Sequence, residues 1–202
     1  MACSSGTELP EIPDNLAPLA ANTAPAPAEG EEGFLTVSGE EFDYDWVHDQ
    51  GFIHAPVDAV WEAFQDLEVV VDRAAVSEYS MVPYDDSRFD VSFQVRNLVE
   101  DILTVEYVRE WRQSLLHSSD EGAELVAIRF EKTEGAEVIE MMVGSVILTG
   151  TDEGHTHLDI VEHLSAMQRG AEPIVAYVED LYEDARAFSH GEPLPERSPA
   201  VE

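Results

Sequence analysis

Cysteine, lysine and long apolar runs are the scarce features of this chain. The single cysteine, Cys3, excludes an internal disulfide framework and any metal site built on several thiolates. Lys132 is the only lysine, and 10 basic residues stand against 43 acidic ones for a formal charge of −33. A surface of that sign repels phosphate backbones, so no nucleic-acid partner is expected. No stretch reaches the roughly 18 consecutive apolar residues that argue for a spanning helix, so contact with a membrane would need an anchor. A Gly-rich phosphate loop and a G-x-S-x-G elbow are both missing, and no cofactor is expected.

What is present is one domain's worth of chain with tails, since 202 residues suffice for a full core but leave little room for two. Pro10, Pro13, Pro18, Pro25 and Pro27 lie among alanines and acids, a composition that predicts an extended spacer over 1–41. Pro193, Pro195 and Pro199 predict a similar disordered tail over 191–202. The folded domain is expected over 42–190. Ala2-Cys3-Ser4-Ser5-Gly6 resembles the mature start of a bacterial lipoprotein. That likeness implies lipidation of Cys3 and a place at the cell envelope, lipid-anchored or otherwise outside the cytoplasm. The alternative is the cytoplasm of a salt-adapted organism, where ions screen the self-repulsion of so acidic a surface.

Within the body, Tyr44 to His54 reads as a strand and Ala55-Pro56 leads into a helix whose Val57, Val60, Trp61 and Phe64 form one apolar stripe. A second short helix is expected over 67–77. The period then changes to two, and Asp85-Asp86-Ser87, Ser118 to Gly122, Glu134-Gly135 and Asp152-Glu153-Gly154 punctuate six candidate strands between 78 and 167. A helix over 173–188 closes the domain, with Ile174, Val178, Leu181, Ala185 and Phe188 on one face.

The order β-α-α-β6-α, and the opening Ile53-His54-Ala55-Pro56-Val57-Asp58-Ala59-Val60-Trp61, resemble the START-like, polyketide-cyclase-like (SRPBCC) superfamily. That resemblance implies an α+β helix-grip fold, in which a curved antiparallel sheet wraps the last helix. It also implies a cavity for a hydrophobic or amphipathic small molecule, lipid-like or polyketide-like.

Strand alternation then nominates the lining. Leu103, Val105, Tyr107, Trp111 and Leu115 share a face with Arg109, and Leu158, Ile160, Leu164 and Ala166 share one with Glu162. Arg109 and Glu162 are charges on otherwise apolar faces, so they are expected either to pair across the cavity or to reach water at strand ends. Met141 and, on the helix, Tyr177 complete the expected ligand-binding set, while Met142 and Met167 are soft fillers. On the opposite face His155, His157, Asp159 and His163 alternate, with His48 and His54 on the neighbouring strand. Zinc accepts such ligands, yet a solvated polar face is the expected use, and no metal is expected.

Three functions remain open. The first is binding or carriage of a hydrophobic ligand. The second is a cyclase, aromatase or hydratase type of enzyme, with Glu162 as base and Arg109 stabilising an anion. The third is an interaction module whose pocket is filled by its own side chains, Trp46, Trp61 and Trp111 being large enough to close it. Oligomeric state is not legible.

Overall fold

The computed structural model describes residues 10–28, 30–100, 103–120, 122–167 and 170–197. Cys3 lies outside them. Strand β1 (Gly33–Glu40) is followed by β2 (Asp45–Ile53), α1 (Val57–Ala63) and α2 (Leu67–Val70). The meander β3 (Glu78–Val82), β4 (Val91–Val99), β5 (Val105–Ser119), β6 (Gly122–Gly135), β7 (Ile139–Gly150) and β8 (Thr156–Ala166) leads to α3 (Glu172–Ser189).

Pro56 is the N-cap of α1, and Val57, Val60 and Ala63 turn inward at helical spacing. The Asp66 carboxylate caps α2 by accepting from Glu68 N at 2.8 Å. The expected second helix is cut short, because Val71 is extended and Asp72 accepts from Ala74 N and Ala75 N instead of continuing the turn.

The strands form one open antiparallel sheet of eight, in the order β1-β2-β8-β7-β6-β5-β4-β3. With α3 laid across its inner face, this is the helix-grip arrangement. The expected β-α-α-β6-α order is corrected at its start, where β1 pairs with β2 from Gly33↔Phe52 to Glu40↔Asp45. Five prolines hid that strand by reading as spacer up to the point where it begins.

Helix α3 buries Ile174, Tyr177, Val178, Leu181, Tyr182 and Ala185. Each large apolar side chain removed from water contributes roughly 1.5–3 kcal/mol relative to exposure. Their partners include Phe64, Trp111, Phe130, Leu158 and Ile160 in the same cluster. A Cβ at Gly144 would stand 1.9 Å from the Phe130 ring, so the missing side chain is what lets that ring lie against the sheet.

The two tails depart from expectation wherever they are described. Residues 10–28 lie along the outer face of the sheet rather than standing free. Leu16 is buried beside Leu125, Ala127 and Ile147. Leu19 N donates to Ser145 Oγ at 3.2 Å, Asn22 Nδ2 donates to Asp159 Oδ1 at 2.8 Å, and Arg129 Nη1 donates to Ala17 O at 3.0 Å. At the other end Arg197 pairs with Asp180 and Asp184 at 2.5 and 2.9 Å, and Arg73 Nη1 donates to Pro195 O at 3.2 Å. Proline-rich composition predicted lack of structure; apolar and hydrogen-bonding partners on the sheet and on α3 supply what the segments lack by themselves.

Candidate ligand-binding site

The inner face of β5 carries Tyr107, Arg109, Trp111 and Gln113, all buried. Facing them are Leu158, Ile160 and Glu162 of β8, Gly144 and Met142 of β7, and Tyr177 of α3. Arg109 Nη2 lies 4.0 Å from Glu162 Oε1, with the two side chains 5 % and 0 % exposed. The guanidinium carbon sits 4.6 Å above the Tyr177 ring and 5.3 Å from the Phe130 ring, and Nη2 approaches Met142 Sδ at 2.7 Å. Tyr177 is held in place by its hydroxyl, which donates to Val70 O at 3.0 Å.

The pair is close enough to attract and too far apart to hydrogen-bond. Arg109 Nε, Trp111 Nε1 and both carboxylate oxygens of Glu162 are buried with no hydrogen-bond partner among the described residues. Buried polar groups in folded proteins are overwhelmingly partnered, so four such atoms in one apolar interior mark a place where a partner from outside would be bound most favourably. By contrast, Gln113 is fully satisfied, accepting from Trp61 Nε1 at 2.6 Å and donating to Phe64 O at 2.7 Å. It ties α1 to the sheet.

Burial pushes the Glu162 carboxyl up to about 7 against the opposing pull of Arg109, with Asp72 adding to the rise. Burial works against the Arg109 charge as well, but Tyr177, Tyr107, Glu162 and Asp72 together hold its pKa above the ordinary value. Near neutral pH the interior therefore holds a fixed cation beside a carboxyl that can be either charged or neutral. Such a pair can donate to a ligand oxygen from Arg109 and accept from, or donate to, a ligand hydroxyl through Glu162.

The nominated residues divide as follows. Val105, Tyr107, Arg109, Trp111, Leu158, Ile160, Glu162 and Tyr177 do face the interior. Leu103 does not, since it precedes β5 and is 57 % exposed. Met141 is corrected to Met142: a register irregularity between Ile139 and Met141 moves the inward position by one, so Met142 pairs with Leu164 and Met141 with Ser165. Met167 and Leu115 are exposed. Phe130 and Asp72 were missed. Phe130 was legible as the alternate partner of Val126 and Ile128, whereas Asp72 sits in a loop where alternation is silent.

The histidines do not gather. His155 stacks on His54 with ring centroids 4.1 Å apart, His157 packs on Phe52 at 5.0 Å and His163 stacks on Tyr44 at 4.5 Å. Asp159 instead receives Asn22. Among the described residues no group of three His, Cys, Asp or Glu is placed to hold a metal.

The interior is packed with the protein's own rings. Trp111 stacks on Phe130 with centroids 4.5 Å apart and lies parallel to Phe93 at 6.1 Å. The wider grooves, of about 620 and 510 Å³, lie on the surface and are lined by other residues. A ligand reaching Arg109 would therefore have to displace side chains packed on it, of which Met142 and Tyr177 are the nearest.

No protein-family model matches the chain, and none of the curated proteins is similar to it. Its fold is nonetheless shared. Human StAR-related lipid transfer protein 5 superposes with a TM-score of 0.54 at 10% identity, over 86% of this chain and 89% of that one. A StAR-related lipid transfer protein from Xanthomonas axonopodis gives 0.52 at 12% identity, over 81% and 97%. The Zhui aromatase/cyclase from Streptomyces sp. R1128 gives 0.50 at 16% identity, over 73% and 92%. The chain thus shares the helix-grip fold of these structures. At these identities the likeness is one of fold.

Proposed function

We propose that this protein binds a hydrophobic or amphipathic small molecule between the sheet and α3, with the molecule's polar end at Arg109 and Glu162. The observation that carries this reading is the set of partnerless buried polar atoms on Arg109, Trp111 and Glu162 inside an otherwise apolar interior. The fold supports it, since solved neighbours include lipid-transfer domains and an aromatase/cyclase. The ligand class that fits is an apolar body ending in a hydroxyl or carbonyl: Arg109 donates to its oxygen, and Glu162 takes or gives the hydroxyl proton.

A panel of a fatty alcohol, a sterol and an aromatic polyphenol, each tested by thermal unfolding, examines this. At least one should raise the midpoint of the wild type and leave Arg109→Met unmoved. If every member leaves the wild type unmoved, the interior is a closed core and the reading fails.

A second reading is favoured by one observation, the burial of the Glu162 carboxyl 4.0 Å from the Arg109 guanidinium without a hydrogen bond, where burial pushes it up to about 7. A carboxyl titrating there suits proton transfer at an enolisable carbon. Solvent-proton exchange into a bound β-diketone, absent in Glu162→Gln, would support it.

The proposal also keeps the protein at the cell envelope through Cys3. Because the chain already packs against the sheet by Ile12 and Leu16, such an anchor would hold the domain close to the bilayer rather than on a long leash. Diacylglycerol mass on the N-terminal peptide from the native host is the readout, and an unmodified cysteine there would rule the anchor out.

A further inference from the structure

A second set of partnerless polar atoms lies away from Arg109, at the other side of α3. On β2 the inner face runs Val47, Asp49, Gly51 and Ile53, so Asp49 points toward the helix. It is 1 % exposed, and among the described residues neither carboxylate oxygen has a partner within hydrogen-bond distance. Its cross-strand neighbour on β1 is Thr36, whose buried hydroxyl likewise has no partner within hydrogen-bond distance among the described residues, although it and the Gln50 N–H lie near enough to the carboxylate to oppose the rise that burial causes. Opposite them, from α3, comes the carboxylate of Glu179, close enough to push the Asp49 pKa further in the direction that burial already drives it.

Glu179 also lines a groove of about 510 Å³ between the end of β1 and the first turns of α3. The groove's walls are Gly39, Ala171, Val175 and Ala176, with the carboxylates of Glu40 and Glu172 at its rim, and no cationic side chain is among the lining residues. Glu179 thus lines a short, partly apolar, electronegative slot, and Thr36, two residues along the same face of β1 from the lining Ser38, lies beneath it beside the buried Asp49, so that two carboxylates and a hydroxyl able to accept border the slot's floor.

We propose that Asp49, Thr36 and Glu179 receive a primary ammonium group, and that the groove between β1 and α3 takes the short apolar chain attached to it. An –NH₃⁺ group carries three donors and no acceptor, and the three side chains offer one acceptor group each. The positive charge removes the repulsion between Asp49 and Glu179, and charge-assisted hydrogen bonds are the strong kind. A metal ion fits less well. Hard cations ask for six or more oxygens, and among the described residues no group of three acidic, His or Cys side chains is so placed. This site shares no residue with the Arg109–Glu162 interior and does not rest on the reading given to it.

The test is calorimetric titration of the full chain with hexylammonium at about 1 M salt, where the Debye length of about 3 Å suppresses general attraction to the acidic surface. One saturable site is expected. Hexanol, which lacks the charge, and tetramethylammonium, which lacks the N–H donors, should both bind at least about tenfold more weakly.

Asp49→Asn and Glu179→Gln should each weaken hexylammonium by about tenfold or more, with cooperative melts showing that each variant is folded. Because Glu179 lies on the helix surface and is only partly buried, its variant keeps the test decisive should Asp49→Asn fold poorly. Four results overturn the proposal: no saturable binding, equal binding in the folded variants, tetramethylammonium matching hexylammonium, or displacement by millimolar calcium, which would make it a metal site.

Discussion

Arg109 Nη2 and Glu162 Oε1 stand 4.0 Å apart in the interior, and the Glu162 carboxylate receives no hydrogen bond from any described residue. A buried ion pair of this kind is costly to break and cheap to replace. Removing one partner leaves the other uncompensated, at roughly 3–5 kcal/mol, whereas an apolar pair of similar volume is often neutral. Arg109→Met and Glu162→Leu should therefore each destabilise strongly, and the double variant should be milder than either. A cycle of denaturant titrations reads the coupling directly. Simple additivity would mean that the two charges do not depend on one another.

Two buried acids set the pH dependence of stability. Burial raises Glu162 to about 7 and Asp49 to about 8, both above their unfolded values. The folded protein therefore binds more protons than the unfolded chain between those limits, and stability falls as pH rises. Each contribution is intact below the unfolded pKa, near 4.5 for Glu162 and 3.8 for Asp49, and is lost by the folded value. Glu162→Gln should flatten the decline up to about pH 7, and Asp49→Asn up to about pH 8. Urea midpoints at pH 5 and pH 8 measure it; a wild type equally stable at both would contradict the burial of these groups as ionisable acids.

The N-terminal segment is predicted to be part of the fold. Leu16 fills an apolar cluster with Leu125, Ala127 and Ile147 on the outer face of the sheet. Leu16→Ala should cost about 2–5 kcal/mol, the range for buried leucines. A change under about 0.5 kcal/mol, the ordinary effect of a surface substitution, would mean that the segment stands away from the sheet.

The same segment is fastened by a group that acid should release. Thr23 N donates to His48 Nδ1 at 3.0 Å, which requires that nitrogen to keep its lone pair. Burial lowers the His48 pKa, Asp159 opposes this, and the neighbouring ring of His163 is itself shifted down. A histidine whose folded pKa is depressed contributes stability above its unfolded pKa and loses it as pH falls through the folded one. Amide exchange at Thr23 should accelerate relative to exchange at Leu164 as pH falls below the ordinary histidine value of about 6.5, after correction for intrinsic rates. Unchanged relative protection at pH 5 would contradict the assignment of His48 as acceptor.

Gly144 gives a packing test. A methyl at that position would meet the Phe130 ring at 1.9 Å, and Phe130 in turn stacks on Trp111. Gly144→Ala should destabilise by about 1–3 kcal/mol or more and alter the near-ultraviolet signal of Trp111. A silent substitution would mean that the ring is free to move away, which would leave the interior looser than the packing described.

Much of this was written in the chain, for physical reasons that differ by element. The helix stripe from Val57 to Phe64 and the alternation around Arg109 and Glu162 were legible because one buried face imposes a fixed period on the residues that serve it. Strand β1 was not, since its Leu35, Val37 and Gly39 follow a proline-rich run, and its pairing with β2 is a long-range event that composition does not report. Met142 was missed by one position because a register irregularity is invisible to a strict period of two. Asp49 carried the same signal as Arg109, a charge between apolar Val47 and Ile53, and the same reasoning applied to β2 would have found it.

The most direct measurement of the account is native mass spectrometry of the protein purified from its own host, beside the double variant Arg109→Met/Glu162→Leu prepared in the same way. The account predicts a co-purifying apolar small molecule bearing a hydroxyl or carbonyl, released on unfolding and absent from the folded double variant. Wild-type protein that is folded and uniformly free of adduct, or an adduct retained equally by the double variant, would contradict binding at Arg109 and Glu162.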